Sequence, residues 1–269
     1  MSSPNTQIKL PPELIEPQAH WWPEWVAQNS LSNLDAEMLE IACGLSVFVS
    51  QTCQRNTSLV IDIVQAGYLR LELDVSAINN LAEMLMGEFN ATEEMNAGLR
   101  RLRRAVAFIL AVRDLAGVAS LEEVTQGMSD LAALVLDRAL EHLWRLQCTE
   151  LGVPEDSSGQ PMRMFVLGLG KLGGRELNFS SDIDLIFAYP EDGELPLDGI
   201  ESSSMVHQTF FERLSQSLIT SLHKITSDGQ VFRVDMRLRP YGGSGPVILS
   251  MPATIRYYTT RGRDWERYA

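Results

Sequence analysis

The chain has 269 residues, of which 45% are hydrophobic, and these values predict a globular protein of one or two domains with a substantial core. Its formal net charge of −13 disfavours binding to the phosphate backbone of nucleic acids, which requires a basic surface, so nucleic acid is not an expected partner. The three cysteines form no CxxC pair, and the sequence contains neither a recognisable leader nor an apolar run that could span a membrane, so we expect a soluble, cytoplasmic protein.

Residues 1–34 are predicted to form an N-terminal arm. This stretch carries much of the proline of the chain, so it should be extended at first and helical near its end. The tryptophans Trp21, Trp22 and Trp25 are expected to anchor it by packing.

Residues 35–155 are predicted to form a helical domain. Apolar side chains recur there at steps of three and four, beginning with Met38, Leu39 and Ala42, without the alternation typical of strands. Ser120 and Glu123 form a capping box ahead of a long amphipathic segment, which should be the longest helix.

The arginine-rich segment LRRLRRAVAFILAVRDLAG, residues 99–117, admits two interpretations. In the first, it is an amphipathic helix whose arginines form a solvated face. In the second, one of these arginines turns towards an anionic ligand or partner, which a basic patch in an acidic chain favours. The arginines concerned are Arg100, Arg101, Arg103, Arg104 and Arg113.

Residues 156–269 are predicted to form a second domain, so that the whole chain belongs to the α+β class, with a mixed sheet and helices preceded by a mostly helical region. No terminating signal follows the last residues, RGRDWERYA, and we expect the C-terminal end to be truncated. The elements expected in this domain are strands over residues 164–169, 183–189 and 231–239, an exposed loop over 190–204, and helices over 204–224 and from about Ser250.

Residues 165–189 contain the candidate functional residues. Side chains alternate across a strand, so Asp182 and Asp184 share one face while their apolar neighbours take the other, which suits a sheet with one buried surface and one working surface. Two adjacent carboxylates repel each other unless a cation or a proton lies between them, so a divalent metal is expected here. In residues 231–239, alternation adds a third acid, Asp235, with arginines on the same face: Arg233, which could simply pair with an acid, Arg237 and Arg239.

Gly168, Gly170 and Gly173 match the G-x-G-x-x-G pattern of dinucleotide-binding folds. We disfavour that fold, because no long helix follows the glycines and the acids open the next strand instead of closing it. A Walker-type phosphate loop is disfavoured as well, because Lys171 lies inside the glycine run and is not followed by Ser or Thr.

The segments GLGKLGGRELNFSSDIDLIF and VFRVDMRLRPYGGSGPVILS resemble the bacterial glutamine synthetase adenylyltransferase family, also called glutamate-ammonia-ligase adenylyltransferase. The resemblance implies the nucleotidyltransferase fold, also called DNA polymerase β-like. In this family one half attaches AMP to a tyrosine of glutamine synthetase and a homologous N-terminal half removes it. The start at Met1, the wording VDMRLRP and the ending RGRDWERYA resemble the removing half. Residues 99–117 are also similar, although Ala105 or Val106 replaces a glutamate often found in the family.

The resemblance implies a reaction and its site. Inorganic phosphate would attack the α-phosphorus of adenylyl-tyrosine, giving ADP and unmodified glutamine synthetase, and would thereby regulate nitrogen assimilation. A two-metal site for Mg²⁺, or for Mn²⁺, would be held by the catalytic residues Asp182, Asp184 and Asp235. Phosphate or nucleotide contacts would come from Lys171, Gly173, Gly174, Ser180, Ser181, Arg237 and Arg239. The implied partners are glutamine synthetase and the signalling protein PII in its uridylylated form.

Two alternatives stay open. The same carboxylates would serve the forward transfer of AMP from ATP to the tyrosine. Alternatively, the fragment is a non-catalytic module that binds PII, in which the carboxylates are only structural. The four histidines, which show no metal-ligand spacing, are expected to be structural or on the surface: His20, His142, His207 and His223.

Overall fold

The computed structural model describes residues 11–15, 18–196 and 204–267. The chain divides into two compact units, the first made of residues 1–87 and 101–131 and the second of residues 88–100 and 132–269. Helices α7 (Thr92–Leu115) and α8 (Leu121–Leu151) each supply residues to both units. The division into residues 1–34, 35–155 and 156–269 stays a prediction.

The described part of the first unit is helical, and several of its helices begin at side-chain caps. Ser32, Ser46 and Asp74 each accept the backbone N–H of the residue three positions on, which satisfies an amide that the first turn leaves free. Besides its parts of α7 and α8, the unit contains α1 (Pro12–Ile15), α2 (Trp22–Asn29), α3 (Asn33–Leu45), α4 (Val47–Arg55), α5 (Thr57–Gln65) and α6 (Val75–Met86).

Tryptophans of α2 anchor the N-terminal segment, as predicted. Trp22 and Trp25 are buried, their ring centroids lie 5.5 Å apart, and Trp25 Nε1 donates to the Cys53 carbonyl at 3.1 Å. Residues 1–10 and 16–17 of the predicted extended arm lie outside the described residues, whereas residues 12–15 form a helical turn.

Helix α8 is the longest described helix, as predicted, and its start is capped by Ser120, whose Oγ accepts the Glu123 N–H at 3.1 Å. In the predicted capping box the Glu123 carboxylate would also accept the Ser120 N–H. It does not, because it accepts from Arg113 at 2.6 and 2.9 Å and from the Leu73 N–H at 3.2 Å. Arg113 also donates to the Leu69 carbonyl at 2.9 Å. The solvated face proposed for the arginines is therefore wrong for Arg113.

The other described contacts of the α7 arginines vary along the helix. Arg101 is exposed and pairs with Asp62 at 3.4 Å, as expected of a solvated face. Arg100 is buried and donates to the Asn96 carbonyl and to the carbonyl of Lys224, which follows the last residue of α10 (His207–His223). A guanidinium at that position satisfies a carbonyl that the helix end leaves without an intrahelical partner.

The second unit contains a sheet of four described strands, β1 (Phe165–Leu169), β2 (Ile183–Tyr189), β5 (Val234–Asp235) and β6 (Ile248–Ser250). β1 runs antiparallel to β2, while β5 pairs in parallel with the beginning of β2 and β6 with its end. A separate antiparallel pair joins β3 (Glu194–Pro196) to β4 (Ser204–Val206). The fold is α+β with a helical N-terminal region, as predicted, and it is consistent with the nucleotidyltransferase-like fold.

The core of this unit lies between the sheet and α10. Phe210, Phe211, Leu214 and Leu218 of that helix are fully buried, and the Phe211 ring stacks on Tyr189 of β2 at 4.9 Å. The remaining helices are α9 (Gly170–Gly173), α11 (Met251–Thr260) and α12 (Asp264–Arg267). The helix expected near Ser250 is thus confirmed.

Two predicted boundaries are wrong. Residues 204–206 belong to β4 and not to the following helix, because they pair with residues 194–196, which also shortens the predicted exposed loop. The strand predicted over residues 231–239 is formed only at Val234 and Asp235. It ends there because the Asp235 carboxylate accepts the Arg237 N–H at 2.8 Å and the Met236 carbonyl accepts the Arg239 N–H at 3.2 Å, which turns the chain.

The faces of β2 also differ from the expectation. Asp184 is partly exposed, but from Leu185 to Tyr189 the side chains on both faces are buried. The working surface is therefore confined to the first residues of β2.

Although α7 and α8 are long, no helix in the described ranges qualifies as a membrane span.

Candidate functional site

An open cleft of about 710 Å³ lies in the second unit, at the start of β2. It collects residues from the glycine turn, from the loop ahead of β2 and from the segment around β5. The residues that line it are Gly170, Lys171, Asn178, Ser180, Ser181, Asp182, Asp184, Arg233, Asp235 and Arg237.

Strand register brings the three predicted acids to this cleft. Asp184 is paired with Asp235 in the parallel ladder between β2 and β5, so the two side chains leave neighbouring strands, about 4.8 Å apart, on the same face. Asp182 lies two positions before Asp184, which returns its side chain to that face. The structure thus places Asp182, Asp184 and Asp235 together.

The charges of these carboxylates act on each other. Burial is the main cause that raises the pKa of Asp184 above its ordinary value, and the negative charges of Asp235 and Asp182 raise it further, against a smaller opposing effect of Arg237. The pKa of Asp235 is lowered, chiefly because the Arg237 side chain donates to it. Asp184 is therefore the acid whose charge is least compensated.

Two arginines contact the other two acids. Arg237 Nε donates to both oxygens of Asp235, at 3.0 and 2.7 Å, and its Nη2 lies 2.5 Å from Oδ2. Arg233 Nε lies 2.5 Å from Asp182 Oδ1, and its Nη2 donates to the Ser180 carbonyl at 2.7 Å. The interpretation that Arg233 pairs with an acid is confirmed.

The glycine that approaches the acids is Gly170. It has a positive φ of 54°, and a Cβ at this position would lie 3.2 Å from Asp184 Oδ2. Gly173 and Gly174 are not among the described residues that line the cleft. A Cβ on Gly173 would lie 2.7 Å from the Gly168 carbonyl oxygen, so this glycine is needed to close the turn.

The other predicted contact residues divide into two groups. Lys171, Ser180 and Ser181 line the cleft. Arg239 does not, because its guanidinium donates to the carbonyls of Met236, Gly245 and Pro246 at 2.8 to 3.2 Å and so holds the loop after β5.

Sequence reasoning missed two residues of the cleft, Gly170 as the close neighbour of Asp184 and Asn178 in its wall. Asn178 begins a turn in which its carbonyl accepts the Ser181 N–H at 3.1 Å, and its side chain accepts the Phe179 N–H at 2.8 Å. Asparagine ahead of two serines is a recognisable turn signal, and it could have located this wall.

The donor chemistry of the site suits a hard divalent cation. Three carboxylates on one face offer the oxygen ligands that Mg²⁺ and Mn²⁺ prefer, and burial, together with the negative charges of Asp235 and Asp182, raises the pKa of Asp184. As the side chains lie, no group of three His, Cys, Asp or Glu residues within the described ranges is arranged to hold a metal. Asp182 and Asp235 face guanidinium groups instead, and it is the chemistry of the three carboxylates that fits a cation.

Comparison with known proteins gives one consistent family. The family model described as glutamate-ammonia ligase adenylyltransferase matches residues 36–269. The chain is similar to proteins called bifunctional glutamine synthetase adenylyltransferase/adenylyl-removing enzyme. It is 46% identical over 246 residues to that of Nitrosococcus oceani, covering 88% of this chain and 25% of the relative. It is 44% identical over 225 residues to that of Pseudomonas aeruginosa, covering 83% of this chain and 23% of the relative. It is 41% identical over 258 residues to that of Shewanella loihica, covering 94% of this chain and 26% of the relative. The chain thus spans about a quarter of the length of these curated relatives.

Proposed function

Because the chain belongs to the glutamate-ammonia ligase adenylyltransferase family, we propose that it carries the adenylyl-removing site of such an enzyme and acts on adenylylated glutamine synthetase. The single observation that carries this proposal is the set of three carboxylates that converge on one cleft with a glycine turn and two arginines. The wording of the motif around Asp235, VDMRLRP, resembles the removing half of the family and supports this direction.

The proposed reaction is a phosphorolysis. An oxygen of inorganic phosphate forms a bond to the α-phosphorus of adenylyl-tyrosine, the bond from that phosphorus to the tyrosine oxygen breaks, and the tyrosine oxygen takes up a proton. The products are ADP and unmodified glutamine synthetase. When bound, Mg²⁺ or Mn²⁺ would neutralise the charge that develops on the oxygens of the transferred group.

The residues of the cleft take distinct roles in this proposal. Asp182, Asp184 and Asp235 would hold the cations, and Lys171 and Arg237 would orient the phosphate oxygens through charge-assisted hydrogen bonds. Ser180 and Ser181 would donate hydroxyl hydrogen bonds to phosphate, and Gly170 would let the turn approach without a side chain in the way. Arg239, with three carbonyl partners, would hold the loop and not the substrate.

The forward transfer of AMP from ATP is the second candidate function. It is favoured by the name of the relatives, which covers both activities, and the same carboxylates would serve it. PII in its uridylylated form is proposed as the regulatory partner on the resemblance alone.

The test is to replace Asp184 by Asn and to measure the release of ADP from adenylylated glutamine synthetase in the presence of phosphate and Mg²⁺. Because the variant loses a charged cation ligand, we expect the rate to fall by about 100-fold or more, the size of effect seen when one electrostatic group of an active site is lost. Asp62→Asn is the matched control, since it removes the same charge from an exposed ion pair in the first unit and should leave the rate unchanged.

Undiminished release of ADP by Asp184→Asn would overturn the site assignment. Incubation of unmodified glutamine synthetase with labelled ATP separates the two directions, because label on the synthetase would favour the second candidate. Isothermal titration with Mn²⁺ and ADP separates both from a non-catalytic module, which should bind neither specifically.

A further inference from the structure

Two cationic side chains of the cleft are paired with the acids proposed as cation ligands. The side chain of Asp235 is only 12% exposed, while that of its partner Arg237 is 84% exposed. Arg233 and Asp182 are 54% and 42% exposed. Both guanidinium groups therefore reach in from solvent and have room to move away.

Asp235 and Asp182 already have a guanidinium partner each. Because Arg237 Nε contacts both oxygens of Asp235, a cation can bind that carboxylate fully only if the guanidinium gives up at least one of them. At Asp182 the contact is to one oxygen, since Arg233 Nε lies 2.5 Å from Oδ1, and a cation at that oxygen competes with the positive charge of the guanidinium.

A displaced guanidinium in this cleft needs a new anionic partner. The planar fork of arginine, which matches a carboxylate, matches two oxygens of a phosphate group equally well. Arg233 and Arg237 line the same cleft as Lys171, Ser180 and Ser181, so a phosphate group there would lie within reach of them. Arg239 provides an internal contrast, because its partners are carbonyls that a cation at the acids does not contact.

We propose that Arg233 and Arg237 form an anion-binding subsite that is held closed by Asp182 and Asp235 and is released when a divalent cation takes these carboxylates. Sequence reasoning assigned no ligand to Arg233, and the structure makes it a phosphate-binding residue of the cleft. The proposal rests on the proposed cation site. Its consequence is that cation and phosphate each strengthen the binding of the other, because the ion pairs need to be broken only once for both ligands.

The test is a binding cycle on the 269-residue chain, with Mn²⁺ and inorganic phosphate titrated separately and together by calorimetry, without any assay of activity. In the unaltered chain, saturating phosphate should lower the Kd of Mn²⁺ by about five-fold or more, and Mn²⁺ should lower the Kd of phosphate by the same factor. In Arg233→Gln, Mn²⁺ alone should bind about two- to five-fold more tightly, the range of an exposed ion pair, since Asp182 is already free. Phosphate should bind more weakly, and the mutual enhancement should shrink.

Arg213→Gln is the matched control. Arg213 is exposed on α10 and does not line the cleft, and its replacement removes the same charge. The affinity for Mn²⁺, the affinity for phosphate and their mutual enhancement should therefore stay as in the unaltered chain. Arg233→Lys, which keeps the charge but lacks the fork, should fall between the unaltered chain and Arg233→Gln, and it serves if the glutamine variant does not fold.

Unchanged or weaker binding of Mn²⁺ to Arg233→Gln would overturn the proposal, as would an enhancement that persists in full, because cation and phosphate would then be linked by direct contact alone. In either case the proposed phosphorolysis would stand if Asp184→Asn still abolished ADP release. Failure of the chain to bind Mn²⁺ would instead overturn the cation site on which both proposals depend.

Discussion

Gly170 is the residue of the glycine turn that lies against the carboxylate of Asp184. With φ at 54° and the position of a Cβ only 3.2 Å from Asp184 Oδ2, any larger residue would have to strain the backbone and displace the carboxylate. The absence of a side chain is thus needed for the position of the acid as well as for the turn.

Replacement of Gly170 by Ala should weaken Mn²⁺ binding, because the methyl group moves Asp184, and it should also cost about 1 kcal/mol of unfolding free energy through the positive φ. Gly159→Ala is the matched control, since Gly159 has a φ of 78° with no atom within 4 Å of its Cβ position. We expect both variants to lose similar stability in urea titrations, and only Gly170→Ala to lose cation affinity in calorimetry. An equal loss of affinity in both would contradict the role of Gly170.

At the scale of elements, a buried ion pair joins the end of α7 to the start of α8. The Arg113 and Glu123 side chains are 7% and 6% exposed, and together they also bind the backbone at Leu69 and Leu73. Removing one partner of such a pair leaves a buried charge without compensation, which is far more costly than opening a pair on the surface.

Replacement of Glu123 by Ala should therefore lower the free energy of unfolding by about 3–5 kcal/mol. Asp62→Asn, which opens the exposed pair with Arg101, should lower it by about 1 kcal/mol or less. Denaturant titration followed by circular dichroism measures both. Similar losses in the two variants would show that the pair between Arg113 and Glu123 is effectively solvated.

Elements that repeat a pattern over many residues were predictable, and those made by a few residues were not. The strand at residues 183–189 and the helix around Phe210 have long apolar patterns, and both are observed at or near the predicted bounds. Residues 231–239 alternate just as regularly, but the Asp235 carboxylate binds the chain two residues on and ends the strand. β6 has only three residues, too few for a pattern to be distinguished from a loop.

The acids of the site could be predicted from the sequence, whereas their register and the glycine that lies next to them could not. Asp182 and Asp184 are separated by the period of a strand, which is a local signal. The motif VDMRLRP indicated that Asp235 would lie near the other two acids. Its register opposite Asp184, however, depends on pairing between distant parts of the chain. Which glycine faces the acids depends on the path of the turn, and this path brings Gly170 there instead of Gly173 or Gly174.

At the scale of the whole molecule, the net charge of −13 is reinforced by the way in which several arginines are used. Ion pairs neutralise Arg70 with Asp35, Arg113 with Glu123, and Arg163 with Glu141, as well as the two arginines of the cleft. Such arginines contribute little to a basic surface that could attract a polyanion.

We therefore expect the chain to show no binding to duplex DNA by fluorescence anisotropy at physiological salt, up to a protein concentration of about 100 μM. Proteins that bind nucleic acids nonspecifically do so with a Kd of about 10⁻⁴–10⁻⁶ M under such conditions. The control is a titration at low salt, where electrostatic attraction is strongest. A signal that is present at physiological salt and grows as the salt is lowered would contradict the prediction.

The pairing of β5 with β2 rests on two residues from each strand, and it joins parts of the chain that lie on either side of α10. Closing so long a loop costs conformational entropy before the short ladder can repay it, so this contact belongs to the late events of folding and to the early events of local opening. Asp184 and Asp235 consequently meet only in a chain whose second unit is complete. In a nascent, nicked or partly unfolded copy the two acids would be separated, and the cleft that they line would not be assembled.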